Sequence, residues 1–75
     1  MYTYEDLSLE LNAETKDEKK GQKDAIKALK KADELTPVLI NTFMDGVYKR
    51  TSNTEYISAY VDVLRQALAA VQACA

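Results

Sequence analysis

The carboxyl-terminal part of the chain, residues 54–75, is predicted to form a helix that is apolar over most of its circumference. Successive residues on a helix are turned by about 100°, and this places two apolar stripes side by side. The first stripe consists of Ile57, Tyr60, Val61, Leu64, Leu68 and Val71, and the second of Tyr56, Val63, Ala67, Ala70 and Cys74. Together they span roughly 200°, whereas a surface helix needs a stripe only somewhat wider than about 100°. Such a helix has to be covered on two sides.

The rest of the chain offers little material for that cover. The sequence has 75 residues, which allows one domain with a thin core, and chains of this size usually need a staple or an oligomer for stability. The single cysteine excludes an internal disulfide, and the absence of histidine argues against a metal site, so no metal or cofactor is expected. Either the N-terminal segment or a second chain has to cover the second stripe. We expect first self-association through this stripe, and we expect Ala67→Glu to split the oligomer without unfolding the chain.

The structure of the acidic N-terminal segment, residues 1–14, is ambiguous from the sequence. Leu7, Leu9 and Leu11 alternate with polar residues as they would in a strand, but Tyr4, Leu7 and Leu11 fit a helix equally well. A lone strand would find no partner edge elsewhere in the chain. We predict a short helix or an ordered arm.

Residues 16–50 are predicted to form a helical arm. Thr15 and Glu18 have the spacing of a capping box, which marks the beginning of a helix. Gly21 should weaken the first turns, so that the helix becomes firm only near Gln22. Pro37 either begins a new helix after a brief interruption or kinks one continuous helix.

The last helix is predicted to begin near Thr54, because Ser52 and Glu55 repeat the capping-box spacing. Its first stripe should pack on the bulky face of the arm, which is formed by Leu39, Ile40, Phe43 and Val47. The predicted fold is all-α. It is a helical hairpin in which the long arm, kinked or broken near Pro37, lies antiparallel to the C-terminal helix, with a short N-terminal segment and completion by oligomerisation.

Five lysines recur along the arm at spacings of four, three, four and three residues: Lys16, Lys20, Lys23, Lys27 and Lys30. This spacing places them on one side of a helix. The ordinary interpretation is a solvated face, since most rows of like charge are solvated. They could instead bind an anionic partner, or the acidic N-terminal segment could lie along them and neutralise them.

A second candidate is a basic and aromatic patch around the turn before the last helix, formed by Tyr48, Lys49, Arg50 and Tyr56. Tyrosine is common at interfaces because its ring is apolar and its tip is polar, and it is also common at the edge of a core. As a site, the patch could stack a base and hold a phosphate.

Several classes of function are disfavoured. The sequence contains no histidine and no glycine-rich phosphate loop, and Cys74 has no histidine base, so we do not expect an enzyme. No stretch reaches the roughly 18–20 apolar residues of a membrane span, and the first residues do not resemble a signal peptide, so a cytoplasmic protein is expected. Ten basic and twelve acidic residues give a net charge of −2, which argues against nucleic acid as the partner.

The last helix resembles the final helix of phage-encoded cyclic-nucleotide sponges (anti-CBASS proteins). The resemblance rests on Glu55-Tyr56-Ile57-Ser58, Leu64, Ala67-Leu68 and Ala70-Val71, and it covers about a third of the chain. It departs from the family pattern in having Tyr56 in place of tryptophan and Ala67-Leu68 in place of glycine-phenylalanine. The resemblance implies a small α-helical oligomer that sequesters signalling nucleotides.

These observations predict first a non-catalytic interaction protein. It would be a small homo-oligomeric adaptor or inhibitor of bacterial or phage type that acts by protein–protein contact, with itself and another protein as partners. The alternative is a sponge that binds cyclic nucleotides at the basic and aromatic patch. A second alternative is nucleic-acid binding through the lysine row.

Overall fold

The structure, a computed structural model, describes residues 2–74. A short 3₁₀ turn is followed by three α-helices, and residues 2–74 contain no strand; the elements are the turn Tyr4–Asp6, α1 (Lys16–Lys31), α2 (Pro37–Arg50) and α3 (Thr54–Ala73). The predicted all-α class is confirmed. The predicted arm is broken rather than kinked, because residues 32–36 are not helical. Residue 1 of the predicted N-terminal segment and residue 75 of the predicted C-terminal helix lie outside the described residues.

Side chains cap the beginnings of the helices. Thr15 Oγ1 accepts a hydrogen bond from the Glu18 N–H at 3.2 Å, and the Glu18 carboxylate accepts one from the Thr15 N–H at 3.0 Å, as the predicted capping box requires. The Thr15 amide is the main reason why the pKa of Glu18 lies below its ordinary value. At α3 the cap is Asn53 rather than the predicted Ser52, since the Asn53 side-chain oxygen accepts from the Tyr56 N–H at 3.1 Å.

α3 is the central helix of the fold, and both α1 and α2 pack against it. Two hydrogen bonds join the beginnings of α1 and α3: Thr15 Oγ1 donates to Glu55 at 2.5 Å, and Asn53 Nδ2 donates to Asp17 at 3.0 Å. α1 therefore runs parallel to α3, and α2 runs antiparallel to it. α2 and α3 form the antiparallel hairpin, whereas the first half of the predicted arm points the other way because residues 32–36 reverse the chain.

Gly21 lies at a close contact between α1 and α3. It is buried, and a Cβ atom placed on it would lie 3.1 Å from the Tyr56 carbonyl carbon and 3.2 Å from the Tyr56 Cα. Because the neighbouring atoms belong to the backbone of α3, only a residue without a side chain fits here. The prediction that α1 becomes firm only near Gln22 is wrong, since the helix begins at Lys16 and Gly21 serves its packing.

The middle of the second apolar stripe of α3 is covered within one chain. Val63 is 1% exposed and Ala67 is 0% exposed. α1 lies on this side of α3, because Gly21 faces Tyr56, which belongs to the second stripe. The buried core is formed by Ala25, Leu29, Leu35, Ile40, Val47, Tyr60, Val61, Val63, Leu64, Ala67 and Val71. A second chain is therefore not needed to cover Val63 and Ala67, while self-association itself stays a prediction.

The N-terminal segment supplies the remaining cover. Tyr2, Tyr4, Leu7 and Leu9 are half-buried and pack against the core. The segment is non-helical after its 3₁₀ turn, and it runs along the side of α3 that carries Gln66. The segment is thus an ordered arm, which is one of the two predicted alternatives.

Side-chain amides hold the backbone of this arm. Gln66 accepts a hydrogen bond from the Glu10 N–H at 2.8 Å and donates one to the Glu10 carbonyl at 2.9 Å. Gln22 of α1 accepts from the Ala13 N–H at 3.3 Å. The amide groups replace the partner strand that the chain lacks, and so satisfy backbone groups that would otherwise depend on water alone.

Candidate functional site

The five predicted lysines lie on the outer surface of α1, where all five are exposed. The acidic N-terminal segment does not lie along them. It contacts α1 through Gln22, which projects from the opposite side of the helix from Lys20 and Lys27. Lys30, near the end of the row, meets the segment, with its ammonium group 5.2 Å from the centre of the Tyr4 ring. The hypothesis that the segment neutralises the row is therefore wrong for most of its length.

Part of the lysine row borders a groove between α1 and α2, which make little direct contact with each other. We call this feature the basic groove. It consists of two adjoining concavities of about 310 and 390 Å³ that share Asp24 and Arg50. The α1 wall carries Lys20, Asp24, Lys27 and Lys31, the α2 wall carries Phe43 and Arg50, and α3 contributes Tyr56 and Tyr60.

The spacing of residues along α1 explains why these four side chains lie on the same wall of the groove. Lys20, Asp24, Lys27 and Lys31 follow one another at intervals of four, three and four residues, which places them in one line along a helix. With a rise of about 1.5 Å per residue, the line is about 16 Å long. The groove is therefore long enough for several residues of an extended or helical peptide.

The end of the groove near Tyr56 is rigidly built. The Tyr56 hydroxyl donates a hydrogen bond to Asp24 Oδ2, and the Tyr56 and Tyr60 rings stack with centroids 5.9 Å apart. The Arg50 guanidinium lies 5.3 Å from the centre of the Tyr60 ring, a cation–π contact. Burial, followed by the bond and the charge of Asp24, raises the pKa of Tyr56 to about 12. Tyr56 is therefore neutral at physiological pH and remains a hydrogen-bond donor to Asp24.

The charges of the groove favour an anionic partner. Lys20, Lys27, Lys31 and Arg50 supply four positive charges along it, and Asp17 and Asp24 supply two negative ones. Both carboxylates already accept hydrogen bonds from within the chain, Asp17 from Asn53 and Asp24 from Tyr56. The lysine ammonium groups project from an exposed helix face, where they are accessible to carboxylates of another molecule.

The predicted basic and aromatic patch is divided between two places. Arg50 and Tyr56 line the basic groove, but Tyr48 is 58% exposed and lines a different concavity with Ile57 and Arg65. Lys49 is exposed and borders neither of these concavities. The structure therefore does not bring the four residues together as one platform for a base and a phosphate.

The residues predicted for self-association do not form a continuous exposed face either. Tyr56 lines the basic groove, Val63 and Ala67 are buried, and Ala70 is half-buried. Cys74 is exposed beyond the end of α3. An interface made by this stripe would first require the chain to open.

Several groove residues were not predicted as part of a site, among them Asp24, Lys31, Phe43 and Tyr60. The spacing of Asp24 and Lys31 relative to Lys20 and Lys27 could have indicated the first two. Phe43 and Tyr60 have the signature of core residues, and only the gap between α1 and α2 shows that they also line a groove.

Comparisons with protein-family models, curated proteins and solved structures give no match for this chain. Within residues 2–74, no three or more histidine, cysteine, aspartate or glutamate side chains are grouped as metal ligands would be. None of the described helices is long and apolar enough to cross a membrane.

Proposed function

We propose that this chain is a non-catalytic interaction protein that acts by protein–protein contact and binds an acidic surface of its partner in the basic groove. It would work in the cytoplasm as an adaptor or inhibitor, which is the role first predicted from the sequence. The observation that carries the proposal is the line of Lys20, Lys27 and Lys31 facing Arg50 across an exposed groove. Complementary charge of this kind directs the approach of a partner and selects its orientation.

The shape of the groove favours a protein segment over a nucleotide. Tyr60, the aromatic residue at its centre, is only 4% exposed and lies beneath Arg50, so that its ring offers no free face for a base. The wider concavity also has an apolar lining from Ala28 and Phe43, which are half-buried. A protein segment with one apolar side chain and neighbouring carboxylates would use both parts of this lining.

The net charge of the chain favours a protein over nucleic acid. The exposed lysines of α1 are accompanied on the same molecule by acidic residues of the N-terminal segment, including Glu5, Asp6, Glu10 and Glu14. Together with the other acidic residues they give the chain a net charge of −2, which opposes the binding of a long polyanion. A short acidic segment confined to the groove avoids these carboxylates.

Photo-crosslinking followed by affinity measurement tests the proposal. p-Benzoylphenylalanine is placed at Lys31 on the edge of the groove and, as a matched control, at Ala69, which is exposed on α3 outside it. Proteins crosslinked in the producing cell at position 31 but not at position 69 are identified, purified and titrated against the unmodified chain by calorimetry.

The expected result is an acidic partner whose affinity falls at least tenfold when Lys27 and Lys31 are both changed to glutamate. Lys49→Glu makes a comparable change at an exposed lysine outside the groove and should leave the affinity nearly unchanged. The proposal is overturned if no protein prefers position 31, or if the double groove variant binds the identified partner as well as the unmodified chain does.

A further inference from the structure

The N-terminal segment presents one exposed apolar side chain between acidic residues. Leu11 is 49% exposed, and both Glu10 before it and Glu14 after it are exposed. Leu7 and Leu9, which belong to the same alternating pattern, instead pack against the core. Leu11 is therefore the leucine of this pattern that is left available to another molecule.

The backbone that carries Leu11 is held in place before any contact is made. Gln66 fixes the Glu10 backbone through two hydrogen bonds, and Gln22 holds the Ala13 amide. A pre-ordered segment loses little conformational entropy when it binds, which favours association. We call residues 10–14 the acidic knob.

The acidic knob and the basic groove are chemically complementary. The wider concavity of the groove has an apolar lining of Ala28 and Phe43 and is bordered by Lys27, Lys31 and Arg50. One leucine flanked by two carboxylates matches an apolar depression flanked by cations. The knob and the groove lie on different sides of the molecule, because the knob is bound to Gln22 and Gln66 and the groove lies on the opposite side of α1.

We propose that a second copy of this chain docks its acidic knob into the basic groove, with Leu11 on the apolar lining and Glu10 and Glu14 facing Lys27, Lys31 and Arg50. This inference rests on the proposed function of the groove as a protein-binding site, and it names an occupant. The contact joins two unlike surfaces on different sides of the molecule, so it forms a head-to-tail assembly that either closes into a ring or extends. Self-association then occupies the groove and competes with any other acidic partner.

Charge reversal tests the proposal on the full chain. Sedimentation velocity is measured over a concentration series at about 0.05 M and about 0.5 M salt, which separates screened from unscreened charge contacts. The variants are Leu11→Ser, a knob reversal (Glu10→Lys with Glu14→Lys), a groove reversal (Lys27→Glu with Lys31→Glu), and a chain that carries both reversals. Val38→Ser is the matched control for Leu11→Ser, since Val38 is 77% exposed on α2 and does not line the groove. Circular dichroism verifies that each variant is folded.

The unmodified chain is expected to associate at low salt and to dissociate at high salt. Leu11→Ser and each single-sided reversal should weaken association at least tenfold, Val38→Ser should not, and the chain with both reversals should associate again because its charges are complementary once more. An equimolar mixture of the knob reversal and the groove reversal should also associate, since the unmodified knob of one and the unmodified groove of the other remain available.

A monomeric unmodified chain at low salt overturns the inference, as does failure of the double reversal to restore association that the single-sided reversals abolish. The outcome is separable from that of the proposed function. A foreign acidic protein captured at position 31 by a monomeric chain would leave the proposed function standing and reject the second copy as occupant. Self-association that responds to both reversals supports the inference even when no foreign partner is captured.

Discussion

The two glycines of the chain lie on different helices and differ in their surroundings. The same substitution to alanine should therefore lower the stability of the protein at one site and raise it at the other. Gly21 is buried against the backbone of α3 at Tyr56, whereas a Cβ atom on Gly46 would meet nothing within 4 Å. Both residues lie inside a helix, with Gly21 in α1 and Gly46 in α2. Gly21→Ala and Gly46→Ala therefore share the propensity effect and differ only in the available space.

The magnitudes follow from two opposing effects. Alanine in place of glycine in a helix interior stabilises by about 1 kcal/mol, because glycine loses more backbone entropy on folding. At Gly21 the added methyl group must push α1 away from α3, and overpacking of this kind costs about 1–3 kcal/mol. The upper part of that range applies because the contacted atoms are backbone and cannot rotate aside. We expect Gly21→Ala to destabilise the protein by about 1–2 kcal/mol and Gly46→Ala to stabilise it by about 0.5–1 kcal/mol.

Urea unfolding monitored by circular dichroism at low protein concentration measures both changes. Small proteins lose about 1 kcal/mol of stability per molar urea, so the midpoints of the two variants should differ by roughly 2 M. The argument fails if Gly21→Ala is as stable as the unmodified chain or more stable. It fails also if the two substitutions shift the midpoint in the same direction, because close contact between α1 and α3 would then not distinguish the two sites.

Three further predictions concern other parts of the fold. Gln66→Ala should lower the free energy of unfolding by about 1–2 kcal/mol and accelerate hydrogen exchange of the Glu10 amide, since two hydrogen bonds are lost. Unchanged exchange measured by NMR would show that the segment is held by other contacts. The pKa of Glu18 is lowered in the folded state, so its stabilisation is complete above the ordinary value of 4.5 and is lost as the pH falls through the folded value. Unfolding by urea at several acidic pH values should accordingly show a flatter stability profile for Glu18→Gln, and identical profiles would contradict this role. Ala67→Glu should unfold the monomer, because an unpaired carboxylate in the core lowers the free energy of unfolding by about 3 kcal/mol or more. A variant that melts at the same temperature as the unmodified chain would refute the assigned burial.

The prediction for Ala67 shows where reasoning from the sequence alone went astray. The width of the apolar surface on α3 was correctly recognised, but its cover was assigned to a second chain. In the structure Val63 and Ala67 are buried by the chain itself. The sequence contains apolar residues that can pack on α3, namely Leu7 and Leu9 and the glycine and alanines of α1. The sequence pattern does not show, however, which surface each of them contacts.

The basic groove was only partly predictable from the sequence. Lys20 and Lys27 were identified by their spacing, because helical periodicity is a local property. Arg50 was assigned to a patch with Tyr48, its near neighbour in sequence, but it lies over Tyr60 of α3. The composition of the groove depends on how far apart α1 and α2 lie, and this distance is decided by the packing of both helices on α3.

The sequence by itself determined the all-α class and where the helices begin, and it marked Pro37 as the place of either a break or a kink. These features depend on capping side chains, on the missing amide of proline and on helix propensity, which act within a few residues. Only the tertiary structure decided that the arm is broken at residues 32–36, that α1 runs parallel to α3, that Gly21 is a packing residue, and that Val63 and Ala67 of the second stripe are covered within one chain. Contacts between residues far apart in the sequence decide these features, since each helix face can satisfy its apolar side chains against more than one partner.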